Sequence, residues 1–277
     1  MGTPGCRGRA ASVSCAGAGP GPPRACSSHP VKAVCRRSPP PARNRPGQDQ
    51  QSCSPPSSPH TQEYTAVIVK GRYAMILLAS RSPQRQYLLR QAGLRFLTID
   101  TLDDAAAAGS GVAQAIAIER ARAKALAAQW QDHRAAFSQP HAVILAADTV
   151  VAHGNQALGS PTTPEEARDM LQRLSGSRHT VMTAHCCYRP ALDGAEPVEA
   201  VAVALAQVTM LPLSPQQIDD YVASGEGIGK AGGYAIQGDA DPFVADISGE
   251  RDTVIGLQVG VVRRLYRQVT GQQPEEM

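Results

Sequence analysis

The chain has 277 residues, 42% of them hydrophobic and 18% charged, with a net charge of +3. That is enough apolar material for one large domain or two small ones. No run of about 18 consecutive apolar residues occurs, so no membrane-spanning helix is expected. The glycines and prolines follow no fixed period, which excludes collagen and solenoid architectures.

These averages conceal a break near residue 74. Residues 1–74 hold 12 of the 22 prolines and 5 of the 7 cysteines, with 10 lysines and arginines against 2 acids. Such a segment has too few large apolar side chains to offset its chain entropy, so residues 1–74 are expected to form a disordered Pro-, Arg- and Ser-rich extension. Its Arg- and Ser-rich, acid-poor start is similar to an organellar transit peptide, but Pro22, Pro23 and Pro39–Pro41 would break the amphipathic helix such a peptide needs. Met75 directly precedes the first good strand, which favours an extension from a start assigned too far upstream over targeting or nucleic-acid tethering. Cys6, Cys15, Cys26, Cys35 and Cys53 show no metal-site spacing. Adjacent Cys186 and Cys187 point to opposite faces of an expected strand, consistent with free thiols in a reducing cytoplasm.

The elements after Met75 follow in order. Met75–Ala79 reads as a buried strand. Ser82 and Pro83 open a helix that runs to Gln91 and ends at Gly93. Leu94–Ile99 is strand-like, Thr101–Gly111 a loop and Val112–Trp130 an Ala-rich helix. Ala142–Ala146 is an apolar strand leading into Asp148 and Thr149, with Val150 and Val151 continuing it. Gly154-Asn155 suits a turn, and Thr163 caps a helix reaching Ser175-Gly176. His179–Tyr188 and Val198–Met210 should pair antiparallel. Ser214-Pro215-Gln216-Gln217 has the form of a capping box, and Gly225–Gly238 is a glycine-rich shaped loop. A strand over Phe243–Ile247 and a helix over Gly256–Val269 close the chain. Alternating strands and helices followed by a hairpin imply an α/β fold with a mixed sheet.

Three clusters suit phosphate chemistry. At Leu77–Arg85 a strand gives way to a helix start, with Ser80, Ser82, Arg81 and Arg85 beside free helix-end N–H groups. That is the make-up of an anion cradle, or of an ordinary capped turn. Asp148, expected at the end of an apolar strand, suits a Mg²⁺ ligand or a water-orienting carboxylate, although turn aspartates do the same with no chemistry. In the third cluster the glycines of 225–238 permit close backbone approach, Lys230 supplies a point charge, and Gln237 offers a paired donor and acceptor. The spacing is not that of a Walker loop.

Over residues 75–266 the chain resembles the Maf-like nucleoside triphosphate pyrophosphatases. The resemblance is carried by Leu-Ala-Ser-Arg-Ser-Pro-Gln-Arg at 78–85, Glu-Arg-Ala-Arg-Ala-Lys-Ala at 119–125 and Ala-Asp-Thr-Val-Val at 147–151. It continues through residues 166–176, His-Thr-Val-Met-Thr at 179–183, Lys-Ala-Gly-Gly-Tyr-Ala-Ile-Gln-Gly at 230–238, and Val-Ile-Gly-Leu at 254–257. It implies an α/β/α fold with a mixed twisted sheet and two lobes around a cleft, often as a homodimer. It further implies a cytoplasmic enzyme that hydrolyses a nucleoside triphosphate to the monophosphate and diphosphate with a divalent metal, Mg²⁺ or Mn²⁺, without membrane or nucleic-acid partners. Asp-Thr in the second motif and Ile-Gln-Gly in the last resemble the dTTP/UTP branch.

By position, the resemblance makes Asp148 the catalytic acid–base residue and metal ligand. It gives Ser80, Ser82, Arg85, Arg120 and Lys230 phosphate-binding roles, and ties Gln84, Thr149 and Gln237 to base preference. Asp103, Asp104 and Glu119 are further candidate metal ligands. Three positions depart from the family pattern: Gln84 replaces an arginine, Ser160 the lysine of a Lys-Pro pair, and Gly229 an aspartate before Lys230. They leave open a nucleotide-binding regulator of cell division with weak or no catalysis.

Overall fold

In a computed structural model the described residues are 75–101, 112–138 and 141–274. The expectations for residues 1–74, and for Asp103 and Asp104, lie outside them. Seven strands form one mixed sheet: β1 (Met75–Leu78), β2 (Phe96–Thr98), β3 (Ala142–His153), β4 (Gln156–Leu158), β5 (Arg178–Arg189), β6 (Val198–Met210) and β7 (Val244–Ser248). Their order is β2-β1-β3-β5-β6-β7, with β4 also paired to β3. The β2, β1 and β3 strands run parallel and the remaining pairs antiparallel. The helices are α1 (Pro83–Gln91), α2 (Ala113–Leu126), α3 (Pro164–Leu174), α4 (Pro215–Ser224), α5 (Arg251–Ile255) and α6 (Val259–Thr270). This is the expected α/β/α arrangement on a mixed sheet.

Strand alternation decides what lies on each face. On β3, Ile144, Ala146 and Val150 face α2, whose Ala117, Ala121 and Ala125 are fully buried and let the helix lie close to the sheet. Val143, Leu145 and Ala147 face the other way, toward Leu88 and Leu89 of α1 and Val262, Leu265 and Tyr266 of α6. A third cluster joins Leu171 and Leu174 of α3 to Ile218 and Tyr221 of α4 over Val151, Val181 and Val208. Cys186 and Cys187 fall in the α2-side and α6-side clusters, back to back through the sheet as expected.

The local sequence signals act as anticipated at several helix starts. Ser82 caps α1 and Thr163 caps α3, each with proline at the first turn. Ser214 and Gln217 complete a reciprocal capping box on α4, which ends at Gly225 in the left-handed conformation. The long hairpin of β5 and β6 also has the expected partners.

Other boundaries differ. The Ala-rich helix stops at Leu126, and Gln131–Ser138 forms a separate 3₁₀ stretch that buries Phe137. The closing helix, expected from Gly256, starts at Val259, and Gly256 (φ 124°) instead ends the short α5 that precedes it. Asp148 stands in the middle of a twelve-residue strand, not at its end. The expectation took a polar residue after an apolar run as a terminus. Pairing with β5 carries the strand through Asp148 to Ala152.

Two histidines lie inside the sheet layers. His185 is fully buried and accepts a hydrogen bond from the Gln258 N–H (2.8 Å) that fixes the start of α6. Burial first, then the nearby Arg85 charge, lowers its pKa to about 4. Burial, and secondarily His153, lowers that of His179 to about 4 as well. Both are neutral in the folded protein, whereas the unfolded chain takes up protons near pH 6.5. Stability should therefore fall as pH drops below 6.5, by about 1.4 kcal/mol per pH unit for each histidine, levelling off near pH 4. Urea denaturation between pH 7 and 5 should show this slope, with about two protons taken up on unfolding near pH 5.

Candidate active site

The β1 strand spans only Met75–Leu78 and pairs with β3 as far as Leu145. The β4 strand joins the same edge of β3 only at Val151. Among the described residues, 146–150 therefore have no strand on that side. The chain leaves β1 through Ser80 and Ser82 into α1, and a cavity of about 330 Å³ opens there. Crevices at the carboxyl ends of parallel strands are where α/β sheets bind ligands.

Successive residues of β3 serve opposite walls. Asp148 points to the α2 side, is only 7% exposed, and pairs through Oδ1 with Lys124 Nζ at 2.7 Å. Its Oδ2 is buried without a hydrogen-bond partner. Thr149 points to the α1 side, where Arg85 Nη2 donates to its hydroxyl at 3.4 Å. Arg85 also donates from Nε to the Gly256 carbonyl (2.9 Å) and from Nη1 to Ser80 Oγ (3.2 Å). The network continues inward: Thr149 and Thr183 hydroxyls share a 3.0 Å hydrogen bond, and Thr183 Oγ1 donates to the Thr253 carbonyl at 2.7 Å. Ser82 N–H donates to Ser80 Oγ and Ser82 Oγ to Gln84 Oε1, both at 3.2 Å, which shapes the turn.

Ser80, Ser82, Gln84, Arg85, Asp148, Thr149, Lys230 and Gln237 all line this one cavity. Ser160 and Gly229 line it too. Arg120 is not among the lining residues; Lys124, one helical turn further along α2, is. Lys124 was missed because both residues flank the same apolar stripe of the helix, and spacing alone does not say which one meets the carboxylate. Arg81 and Tyr234 line it as well. Among the described residues, four basic side chains, Arg81, Arg85, Lys124 and Lys230, line the cavity with one carboxylate, a balance that attracts polyanions.

The orphaned Oδ2 of Asp148 suits a cation. Among the described residues no group of three or more His, Cys, Asp or Glu side chains is placed to hold a metal. A carboxylate oxygen is the donor type of a hard ion such as Mg²⁺, and Asp148 is the acidic residue that the described part of the cavity offers one. Glu119 is exposed and outside the cavity.

A mixed α/β sheet whose strand-end cleft, among the described residues, joins four basic side chains to the buried Asp148 carboxylate defines an α/β protein with an anion-attracting cleft. More narrowly, the chain belongs to the family described as Maf-like protein, whose model matches residues 75–269. It is 38% identical over 192 residues to the dTTP/UTP pyrophosphatase of Anaeromyxobacter dehalogenans (strain 2CP-C), covering 69% of this chain and 92% of that one. Its identity to the dTTP/UTP pyrophosphatase of Sphingopyxis alaskensis is 40% over 196 residues, covering 70% and 96% of the two chains. With that of Myxococcus xanthus it is 40% over 187 residues, covering 67% and 88%. Among the described residues no helix is long and apolar enough to cross a membrane.

The fixing of Arg85 depends on Gly256. A Cβ at this position would meet Thr149 Oγ1 at 3.3 Å and Arg85 Nε at 3.6 Å, and its φ of 124° disfavours any side chain. Gly256→Ala should lower stability by roughly 1–3 kcal/mol. Gly260→Ala, with open space around it and no positive φ, should be neutral or slightly stabilising. Urea unfolding of the two variants checks the contrast.

Proposed function

We propose that this protein hydrolyses nucleoside triphosphates to nucleoside monophosphates and diphosphate, with dTTP and UTP or modified nucleotides as substrates. One observation carries the proposal: Asp148, paired with Lys124, shares a cavity with Arg81, Arg85 and Lys230. The names of the relatives, dTTP/UTP pyrophosphatases, support the same reaction.

The triphosphate oxygens lie against Ser80, Ser82, Arg85, Lys124 and Lys230, and the base lies toward Gln84, Thr149 and Gln237. Lys124 holds the Asp148 carboxylate in one orientation. Asp148 accepts a proton from a water molecule whose oxygen attacks the α-phosphorus. The new P–O bond forms as the bond from the α-phosphorus to the bridging oxygen breaks, and that oxygen leaves with diphosphate. The cations stabilise the charge that gathers on the leaving group. Asp148 and the phosphate oxygens would hold a divalent cation such as Mg²⁺ or Mn²⁺, which would add charge neutralisation at the reacting phosphate. Arg85 already has a protein partner on each nitrogen of its guanidinium, so its main contribution is a fixed positive potential rather than a mobile clamp. Residues 75–270 form the catalytic domain of this cytoplasmic enzyme, which works as a homodimer.

A second reading, a nucleotide-binding regulator with little turnover, draws on Gln84, Ser160 and Gly229 lying in the cavity wall. One experiment separates the two. The full chain, given UTP, dTTP, CTP or modified triphosphates with Mg²⁺ or Mn²⁺, should release diphosphate. Binding without release would instead favour the regulator. Asp148→Asn should lower turnover about 100-fold or more while leaving circular dichroism and the melting transition of a folded protein. Turnover at the wild-type rate in that variant would overturn the role of Asp148.

A further inference from the structure

We propose that His179 is a positioning residue that, through Tyr234, fixes the cavity segment bearing Lys230 and Gln237 against the central sheet. The proposal rests on the pyrophosphatase reading above for its catalytic consequence, and on geometry alone for its structural one.

His179 lies on β5 and is 2% exposed. Its Nε2 and the Tyr234 hydroxyl share a hydrogen bond of 2.8 Å, and the two rings meet edge to face, 5.5 Å apart at 80°. The other ring nitrogen, Nδ1, is buried with no partner. A buried polar atom left unsatisfied is costly, so the imidazole is a poor choice for this position unless the bond to Tyr234 matters. Burial lowers the His179 pKa to about 4 and raises that of the Tyr234 phenol. Both rings are therefore neutral near pH 7, and the bond persists unchanged across that range.

Tyr234 is itself 5% exposed and lines the cavity. It lies between Lys230 and Gln237, two polar residues of its segment that line the same cavity. The flanking backbone is tied to other walls. Gly229 N–H donates to the Pro161 carbonyl and Gly232 N–H to the Gly159 carbonyl, both at 2.9 Å. Ala235 N–H donates to the Tyr221 hydroxyl at 3.0 Å, and Arg251 Nη2 to the Ile236 carbonyl at 2.9 Å. The bond from Tyr234 to His179 ties the middle of the segment to the strand that also carries Thr183 of the Arg85 network. Gly232 packs closely between β3 and the Tyr234 ring: a Cβ there would meet Val151 Cγ2 at 2.9 Å and Tyr234 Cε1 at 3.3 Å.

The test compares Tyr234→Phe, His179→Leu and His179→Gln with the wild type, all as the full chain. Hydrogen–deuterium exchange is read over 230–237, and steady-state diphosphate release from UTP with Mg²⁺ is measured alongside. Glutamine retains a polar atom near the position of the imidazole Nε2. Tyr234→Phe and His179→Leu should each speed exchange in 230–237 while β1 and α1 stay protected. Each should raise KM for UTP about fivefold to tenfold, with a smaller fall in kcat, since Lys230 and Gln237 bind the substrate and Lys230 shares the leaving-group charge with the other cations of the cavity. His179→Gln should restore most of the KM, and the Phe/Leu double variant should be no worse than either single one. Unchanged exchange and KM in Tyr234→Phe would overturn the proposal, as would exchange rising uniformly over the whole domain. If the wild type releases no diphosphate, the pyrophosphatase reading fails. The exchange data still decide whether His179 and Tyr234 fix the segment.

Discussion

Along β3, between the end of its pairing with β1 at Leu145 and the start of its pairing with β4 at Val151, lies a short length of strand with one free edge among the described residues. That gap is the constraint on which the cleft depends. It lets side chains from both faces of the sheet reach one space, because the strand there is flanked by a departing loop rather than by another strand. Pairing with β5 on the other edge keeps the exposed length extended. Asp148 and Thr149 then differ by the simple alternation of a strand, one facing Lys124 and the other Arg85.

The ion pair inside the cleft is costly to assemble and to break. The side chains of Lys124 and Asp148 are only 21% and 10% exposed, so each sheds most of its water. Losing either partner leaves an uncompensated charge in a partly dry place. The unpartnered second oxygen of Asp148 keeps this arrangement open to a further cation. On the opposite wall the guanidinium of Arg85 is held by a hydroxyl, a second hydroxyl and a main-chain carbonyl. One side of the cleft is thus a charge pair with spare capacity, and the other is a rigid, satisfied cation.

Much of this was legible in the sequence where local chemistry decides structure. Serine or threonine followed by proline marked the starts of α1, α3 and α4, and the capping box at Ser214 formed as its spacing implied. The β5–β6 hairpin declared itself by its length. What escaped depends on distant chain. Asp148 looked terminal because nothing local reveals that β5 carries the strand past it. The closing helix starts later than its sequence implied because Gly256 instead ends the short α5, its carbonyl accepting from Arg85, 171 residues away in sequence. Arg120 and Lys124 lie one turn apart on the same helix, and only the position of β3 selects the latter. By contrast, the motifs at 78–85, 147–151 and 230–238 already assembled most of the cavity wall, because each encodes a backbone shape as well as a side chain.

The adjacent cysteines on β5 have a consequence of their own. Their sulfur atoms lie on opposite sides of the sheet, so the two cannot join to each other while the strand is intact. Burial pushes the Cys187 thiol up to about 12, and burial together with the nearby Glu199 carboxylate raises Cys186 as well. The nucleophilic thiolate is therefore almost absent in the native state. Alkylating reagents will find these sulfurs only when the central hairpin opens, which makes their modification a clock for the rarest and largest fluctuations of the domain.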